Sequence, residues 1–85
     1  MNRQVERADP RTAIAMGRRY RRQTQQQLAD ALTESTGERW SRVMIGKLES
    51  GGKVLEVETL MAIATIQNLP YSFYLESPGN YAKGV

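Results

Sequence analysis

Residues 24–51 restrict the fold of this chain most strongly, because two helical patterns follow one another there across a polar turn. Thr24 and Gln27 have the spacing of a capping box, so we expect a helix to begin between them. Leucine and alanine then recur at helical spacing, which predicts a helix that ends at about residues 33–35. The residues predicted on its buried face are Leu28, Ala29, Leu32 and Ala31.

The second helix of this stretch is predicted over residues 42–50. Ser41 suits its N-cap, and Gly51 suits the left-handed residue that closes a helix. Trp40 and Ile45 flank the cap at the spacing of a hydrophobic staple, so we expect both in the core. The polar sequence ESTGERW between the two helices predicts a turn.

Three further helical patterns complete an all-α prediction, and the middle one covers about residues 57–67 and is closed by Asn68. Asp9 and Pro10 mark the start of a first helix that ends near Arg22, and Gly17 within it suggests a close helix crossing. The apolar residues expected inside are Ala13, Met16, Gly17 and Tyr20 in the first helix and Tyr71, Phe73, Tyr74 and Leu75 in the last. The predicted fold class is all-α, a compact bundle of about five short helices that contains a helix-turn-helix with an extended turn. The bundle is expected over residues 10–75, between an N-terminal arm (1–9) and a C-terminal tail (76–85).

The 85 residues include neither cysteine nor histidine. Disulfides, zinc fingers and most histidine-based acid–base catalysis are therefore excluded. We find no metal-ligand spacing and no phosphate-cradling glycine loop, so we expect no enzyme, no catalytic residue, no cofactor and no metal. No apolar run approaches the roughly 20 residues that cross a bilayer. We expect a cytoplasmic protein of a bacterium or a phage-infected cell, without a membrane partner.

Charge is divided unevenly along the chain. Residues 1–53 hold eleven Lys and Arg against six Asp and Glu, whereas residues 54–85 hold one against three. A basic half suits a protein that presents one face to a polyanion. The alternative is a chance asymmetry on a small basic domain, with solvated charges at the end of the first helix.

Three short motifs sharpen the hypothesis. They are Gln25-x-x-Leu28-Ala29, Ile45-x-x-Leu48-Glu49-x-Gly51 and Thr59-Leu60-x-x-Ile63-Ala64. Together they resemble the lambda-repressor-like helix-turn-helix family, which includes phage repressors, Cro proteins and xenobiotic-response-element regulators. The resemblance covers about residues 12–75. It implies a DNA-binding domain whose second motif helix, the recognition helix, lies in the major groove.

The resemblance also implies which residues touch DNA. At the exposed start of the recognition helix, Arg42 would read guanine O6 and N7, Val43 would touch a thymine methyl, and Lys47 would contact a base or a phosphate. The residues expected on the DNA backbone are Gln25, Gln26, Arg39, Ser41, Arg18, Arg19 and Arg22.

Two structural expectations follow from the same resemblance. The family's glutamate aligned with Glu49 commonly pairs with an arginine of the first helix, for which Arg18 is the nearest match and Arg19 or Arg21 are alternatives. The turn between the motif helices is longer than in the family by about six residues, an addition that a loop tolerates. Thr33 stands where the family has a turn glycine, so the angle of the recognition helix is open.

The function expected is therefore that of a sequence-specific transcriptional regulator, of the Cro-like or phage and prophage repressor type. Its partner would be a double-stranded DNA operator. A homodimer through the fifth helix and the C-terminal tail is expected, with a monomer as the alternative. A second hypothesis is a protein-interaction module on the same scaffold, such as an antitoxin or an antirepressor, with Tyr71, Phe73, Tyr74 and Tyr81 at its partner surface.

Overall fold

The computed structural model describes residues 9–75, and these residues form five α-helices without a strand. Their bounds are α1 Pro10–Tyr20, α2 Gln25–Thr36, α3 Arg42–Ser50, α4 Val57–Gln67 and α5 Tyr71–Leu75. The all-α prediction is confirmed, and the predicted bounds of α3 and α4 are those observed. α1 ends at Tyr20 rather than near Arg22, whereas α2 continues to Thr36.

The predicted arm and tail lie on either side of these helices. The C-terminal tail (76–85) and all of the N-terminal arm except Asp9 lie outside the described residues. Over residues 9–75, no helix combines the length and the apolar character that crossing a membrane requires.

Local capping signals place the helix ends. Asp9 accepts a hydrogen bond from the backbone N–H of Thr12, and Ser41 accepts one from Met44 at 3.2 Å. Thr24 and Gln27 form the complete capping box, with each side chain accepting from the other residue's backbone N–H. Since these bonds satisfy helix N–H groups that have no partner within the helix, short polar residues fix where each helix begins. The left-handed residues that close α2, α3 and α4 are Gly37, Gly51 and Asn68.

A single apolar core lies between the helices. The fully buried aliphatic side chains include Leu28 and Leu32 of α2 and Ile45 and Leu48 of α3. Trp40 is buried beside them, as the staple predicts. The buried apolar residues are Ala13, Ile14, Leu28, Ala29, Leu32, Trp40, Ile45, Leu48, Leu60, Ile63, Ala64 and Tyr74. The core therefore joins α2 and α3 to α1 and to the two C-terminal helices.

The predicted apolar stripe of α1 is confirmed at Ala13 and Gly17 and wrong at Met16 and Tyr20. Met16 is 37% exposed and Tyr20 is 69% exposed, whereas Ile14, which the stripe omitted, is fully buried. α1 turns Ala13, Ile14 and Gly17 inward, since α4 packs closely against that side. In α5 only Tyr74 of the expected anchors is buried, because a helix of five residues can turn only one side inward.

Gly17 lies at a close helix crossing, as predicted. A Cβ at this position would overlap the Oε1 atom of Gln67 and would crowd Leu69. Gln67 is itself almost completely buried. The absence of a side chain at residue 17 therefore admits a polar side chain of α4 into the space beside α1.

The extended turn between α2 and α3 is closed by Thr33. The backbone N–H of Trp40 donates to Thr33 Oγ1 at 2.8 Å, and the Thr33 hydroxyl donates to the Ala29 carbonyl at 2.9 Å. Some of the added residues extend α2 to Thr36. The chain then changes direction at Gly37, which has a φ of 81°. Because the chain returns to Thr33 before α3 begins, the start of α3 is set by this contact and not by the length of the turn.

Candidate nucleic-acid interface

An open groove of about 720 Å³ lies where the end of α1, the start of α2 and the first residue of α3 meet. The residues that line it are Arg18, Arg19, Arg22, Gln23, Thr24, Gln25, Gln26 and Arg42. Six of these were expected from the sequence to contact DNA, and they come from three different helices and one turn. The fold therefore brings most of the predicted site together; Gln23 and Thr24 are additions.

The turn between α1 and α2 shapes one side of the groove. Arg22 has a φ of 55°, in the left-handed region, and the N–H of Gln23 donates to the Arg18 carbonyl at 2.7 Å. This closes α1 and redirects the chain within a few residues, so that Thr24 can cap α2 at once. As a result, arginines from the last turn of α1 lie beside the first turn of α2.

The helices that begin at the groove carry no acidic residue in their own first turns. This holds for both α2 and α3, although Asp and Glu usually offset the helix dipole there. The backbone N–H groups of Gln25 and Gln26 form no hydrogen bond with other described residues. Free amides at a positive helix end are typical of sites that bind phosphate or another anion.

Five cationic side chains have no hydrogen bond, ion pair or aromatic-ring contact within residues 9–75, and we call them the free cations. Three of them line the groove, one lies in the extended turn and one on the exposed side of α3. They are Arg19, Arg22, Arg42, Arg39 and Lys47. Their positive charges are available to an external anion.

Arg18 behaves differently, because Glu49 holds it. Arg18 Nε donates to Glu49 Oε2 at 2.7 Å and Nη2 donates to Oε1 at 3.2 Å, while Nη1 donates to the Gln23 carbonyl at 3.0 Å. The two side chains are only 13% and 11% exposed. The pair expected from the resemblance is therefore present, and it links α1 to α3.

Gln25 belongs to the same network, since its Nε2 donates to Glu49 Oε1 at 3.2 Å. Gln25 is half-buried and lines the groove with its neighbour Gln26, which donates to Asp30 at 2.9 Å. Both glutamine side chains are thus positioned by carboxylates, while their backbone N–H groups stay free.

The exposed side of α3 carries the remaining predicted base contacts. Val43 is 57% exposed, and Arg42 and Lys47 are also exposed, whereas Ile45 and Leu48 face the core. A short apolar side chain between two cations is consistent with a surface that contacts base edges. Val43 and Lys47 lie on α3 outside the groove lining.

Arg39 and Ser41, two predicted backbone contacts, precede α3 and are exposed. Neither lines the groove. The Ser41 hydroxyl is already the N-cap of α3, accepting from the Met44 N–H. Its capping function is therefore evident, while Arg39 remains one of the free cations.

Two further arginines are used inside the fold. Arg11 Nη1 donates to the carbonyls of Leu48 and Lys53 at 2.7 and 2.8 Å, at the end of α3. Arg21 donates to the carbonyls of Gln67 and Asn68 at 2.8 and 3.0 Å, at the end of α4. We call Arg11, Arg18 and Arg21 the bonded arginines. The sequence signal for Arg11 was its spacing of seven from Arg18, which places both on the same side of α1.

No group of three acidic, histidine or cysteine side chains that would hold a metal ion occurs in the described part of the chain. Comparison with protein-family models, curated proteins and solved structures finds no match for the chain.

Proposed function

We propose that this protein is a sequence-specific double-stranded DNA-binding transcriptional regulator that places α3 in the major groove. The observation that carries the proposal is the convergence of free cations and free helix amides on one groove beside the exposed start of α3. The motifs that resemble the lambda-repressor-like family support the same function.

The backbone contacts would come from both sides of the groove. Arg19 and Arg22 supply charge from the end of α1, and the N–H groups of Gln25 and Gln26 supply directed donors from the start of α2. Together they would hold consecutive phosphates and fix how the domain lies on the duplex, without reading sequence. Arg39 and Ser41 would add contacts ahead of α3.

Base contacts would come from α3. Arg42 is its first residue, a position at which a cation is disfavoured by the positive end of the helix dipole. A DNA contact would compensate for this cost, so the position favours a functional arginine over a merely solvated one. Val43 and Lys47 would contact further base edges or a phosphate.

Arg18 is less suited to bind phosphate than the sequence suggested. Its guanidinium already donates to Glu49 and to the Gln23 carbonyl, and its side chain is only 13% exposed. We assign it to holding α1 against α3, which keeps the groove in shape. Arg19 and Arg22 are the stronger candidates for the DNA backbone.

Selection of bound sequences from random duplex DNA tests the function. The native protein should enrich a defined motif, and Arg42→Ala combined with Lys47→Ala should lose affinity for that motif by roughly 100-fold or more. Arg42→Ala and Lys47→Ala are also compared singly with Lys83→Ala, which likewise removes one positive charge, from the acidic C-terminal part of the sequence. No enriched motif, or an unchanged affinity of the double variant, contradicts direct recognition of bases by α3.

We further propose that two copies associate through an apolar surface on another side of α1. Its hollow of about 360 Å³ is formed by Met16, Tyr20, Leu69, Pro70 and Phe73. On α1 the helical period places Met16 and Tyr20 opposite Arg18, whereas Arg19 lies nearer to Met16. If two copies associate through this surface, Met16→Glu should shift sedimentation equilibrium toward monomer.

The same apolar surface favours the second candidate function, a protein-interaction module such as an antitoxin or antirepressor. A monomer that shows no selective DNA binding but forms a complex with another protein, lost in Met16→Glu, would support this alternative.

A further inference from the structure

Gln67 is a buried polar side chain at the centre of a hydrogen-bonded chain. It is 1% exposed and lies among apolar residues of α4. Its Nε2 donates to the Ile14 carbonyl at 3.3 Å and to Gln23 Oε1 at 3.2 Å, and its Oε1 accepts from the Tyr74 hydroxyl at 2.6 Å. The chain therefore runs from α5 through the core to the α1–α2 turn.

The Ile14 carbonyl fixes the direction of every bond in this chain. A backbone carbonyl only accepts, so the Gln67 atom that faces it must be the amide nitrogen. The second hydrogen of that nitrogen then points to Gln23, whose facing atom must be the oxygen. This leaves Gln67 Oε1 for the Tyr74 hydroxyl, which donates. No alternative orientation of either amide satisfies all three contacts.

Gln23 is the end of the chain that reaches the groove. It is half-buried, it lines the groove, and its Oε1 is held from inside the protein by Gln67. The oxygen and nitrogen of a primary amide lie on opposite sides of the same carbon, so Nε2 is turned away from Gln67. That nitrogen has no hydrogen-bond partner within residues 9–75.

We propose that Gln23 is a further DNA-backbone contact, and that Gln67 and Tyr74 are positioning residues that turn its N–H donors toward a phosphate. The inference rests on the proposed function of the groove. Gly17 is part of the arrangement, because a side chain there would overlap the Gln67 Oε1 atom. An amide held in one orientation before binding loses little freedom when it meets its ligand.

Gln23→Ala tests the contact. Affinity for duplex DNA should fall about five-fold, which is typical of one lost hydrogen bond. The slope of log affinity against log salt should stay unchanged, because a neutral donor releases no counterion, whereas Arg22→Ala should reduce that slope by about one. An unchanged affinity in Gln23→Ala overturns the inference.

A double-mutant cycle tests the positioning role. In a Gln67→Met background, Gln23→Ala should change affinity by less than two-fold, because the donor is no longer oriented. Gln26→Ala is the matched control, since this groove glutamine is held by Asp30 and has no link to Gln67. Its effect should be equal in both backgrounds. Equal effects of Gln23→Ala in both backgrounds would show that Gln67 is only a structural residue.

A milder variant keeps the test valid if Gln67→Met does not fold. Tyr74→Phe removes one hydroxyl and should speed exchange of the Gln67 side-chain amide protons, measured by NMR without DNA. An unchanged exchange rate would show that the Tyr74 hydroxyl does not help to hold the Gln67 amide in its orientation. If the native protein itself fails to bind duplex DNA at low salt, the proposed function fails; if it binds and Gln23→Ala has no effect, only this inference fails.

Discussion

The bonded arginines and the free cations have the same charge and partly share one helix, yet they differ in whether the described fold supplies their partners. Arg11 and Arg21 reach carbonyls at the C-terminal ends of α3 and α4, where a cation is favourable. Arg42, by contrast, is the first residue of α3, where a cation is unfavourable. The first set completes the fold internally, while the second set is left for an external anion.

This difference separates residues that stabilise the domain from residues that are proposed to bind DNA. Loss of a bonded arginine or its partner should lower stability, since a half-buried charge or several carbonyls would be left unsatisfied. Loss of a free cation should reduce DNA affinity and leave stability almost unchanged. The predictions below examine this division.

The largest effect is expected at Glu49. Glu49→Ala leaves the Arg18 guanidinium without its carboxylate and removes the acceptor of Gln25, so the free energy of unfolding should fall by about 3 kcal/mol. Urea denaturation measures this. Glu34→Ala, an exposed residue of α2, is the control and should stay within about 0.5 kcal/mol of native. Equal effects at both positions would mean that the ion pair does not stabilise the fold.

The next effect concerns the stability of the fold at alkaline pH, which depends on the buried Tyr74. Burial raises the pKa of Tyr74 from 10.0 to about 12, although the nearby charge of Arg21 lowers it in part. Between these values the unfolded chain loses this proton and the folded chain keeps it, so stability should fall as pH rises above 10. The loss should approach roughly 2 to 3 kcal/mol by pH 12.

Tyr74→Phe provides the comparison for that titration. The variant starts with lower stability, since Gln67 Oε1 loses its donor, but it lacks this tyrosine's contribution to the pH dependence. Chemical denaturation at several pH values measures both proteins. Parallel curves above pH 10 would show that the Tyr74 hydroxyl titrates normally.

A smaller effect, on affinity alone, is expected at Arg22. Arg22→Ala should weaken duplex binding by about five- to ten-fold and reduce the salt slope by about one, because one phosphate contact disappears. Its melting temperature should stay near that of the native protein. A large loss of stability would place Arg22 among the bonded arginines instead.

The smallest expected effect is an increase in stability. Arg42→Ala removes a cation from the first position of α3, so thermal stability should rise by about 0.3 to 1 kcal/mol while DNA affinity falls. Opposite signs in the two measurements would mark Arg42 as a residue retained for binding. A fall in stability would show instead that the side chain has a structural function.

Local sequence signals were sufficient for the helix ends. Thr24 with Gln27, Ser41 and Asn68 act within a few residues of their own position, so their functions did not depend on the rest of the fold. The rotation of α1 was different. Met16 and Ile14 are both apolar, and only the close approach of α4 at Gly17 decides which of them is buried.

The division of the arginines also required tertiary structure. Arg21 follows Ile14 and Gly17 at helical spacing, whereas Arg19 does not, but the partners of Arg21 at the end of α4 could not be predicted from the sequence. Thr33 is a similar case, because its hydroxyl accepts a hydrogen bond from the backbone N–H of Trp40, seven residues further along the chain. Gln67 did continue the buried positions Leu60 and Ile63, so its burial was detectable, but its partners were not.

The groove and the exposed side of α3 are proposed to form a DNA interface. Titration of the ¹⁵N-labelled protein with a duplex of the selected sequence tests it most directly. The backbone amides of Arg19, Arg22, Gln25 and Arg42 should shift or broaden on addition of DNA, while those of Met61 and Thr65 on α4 should not. Shifts confined to the apolar surface, or no shifts at low salt, would contradict the account.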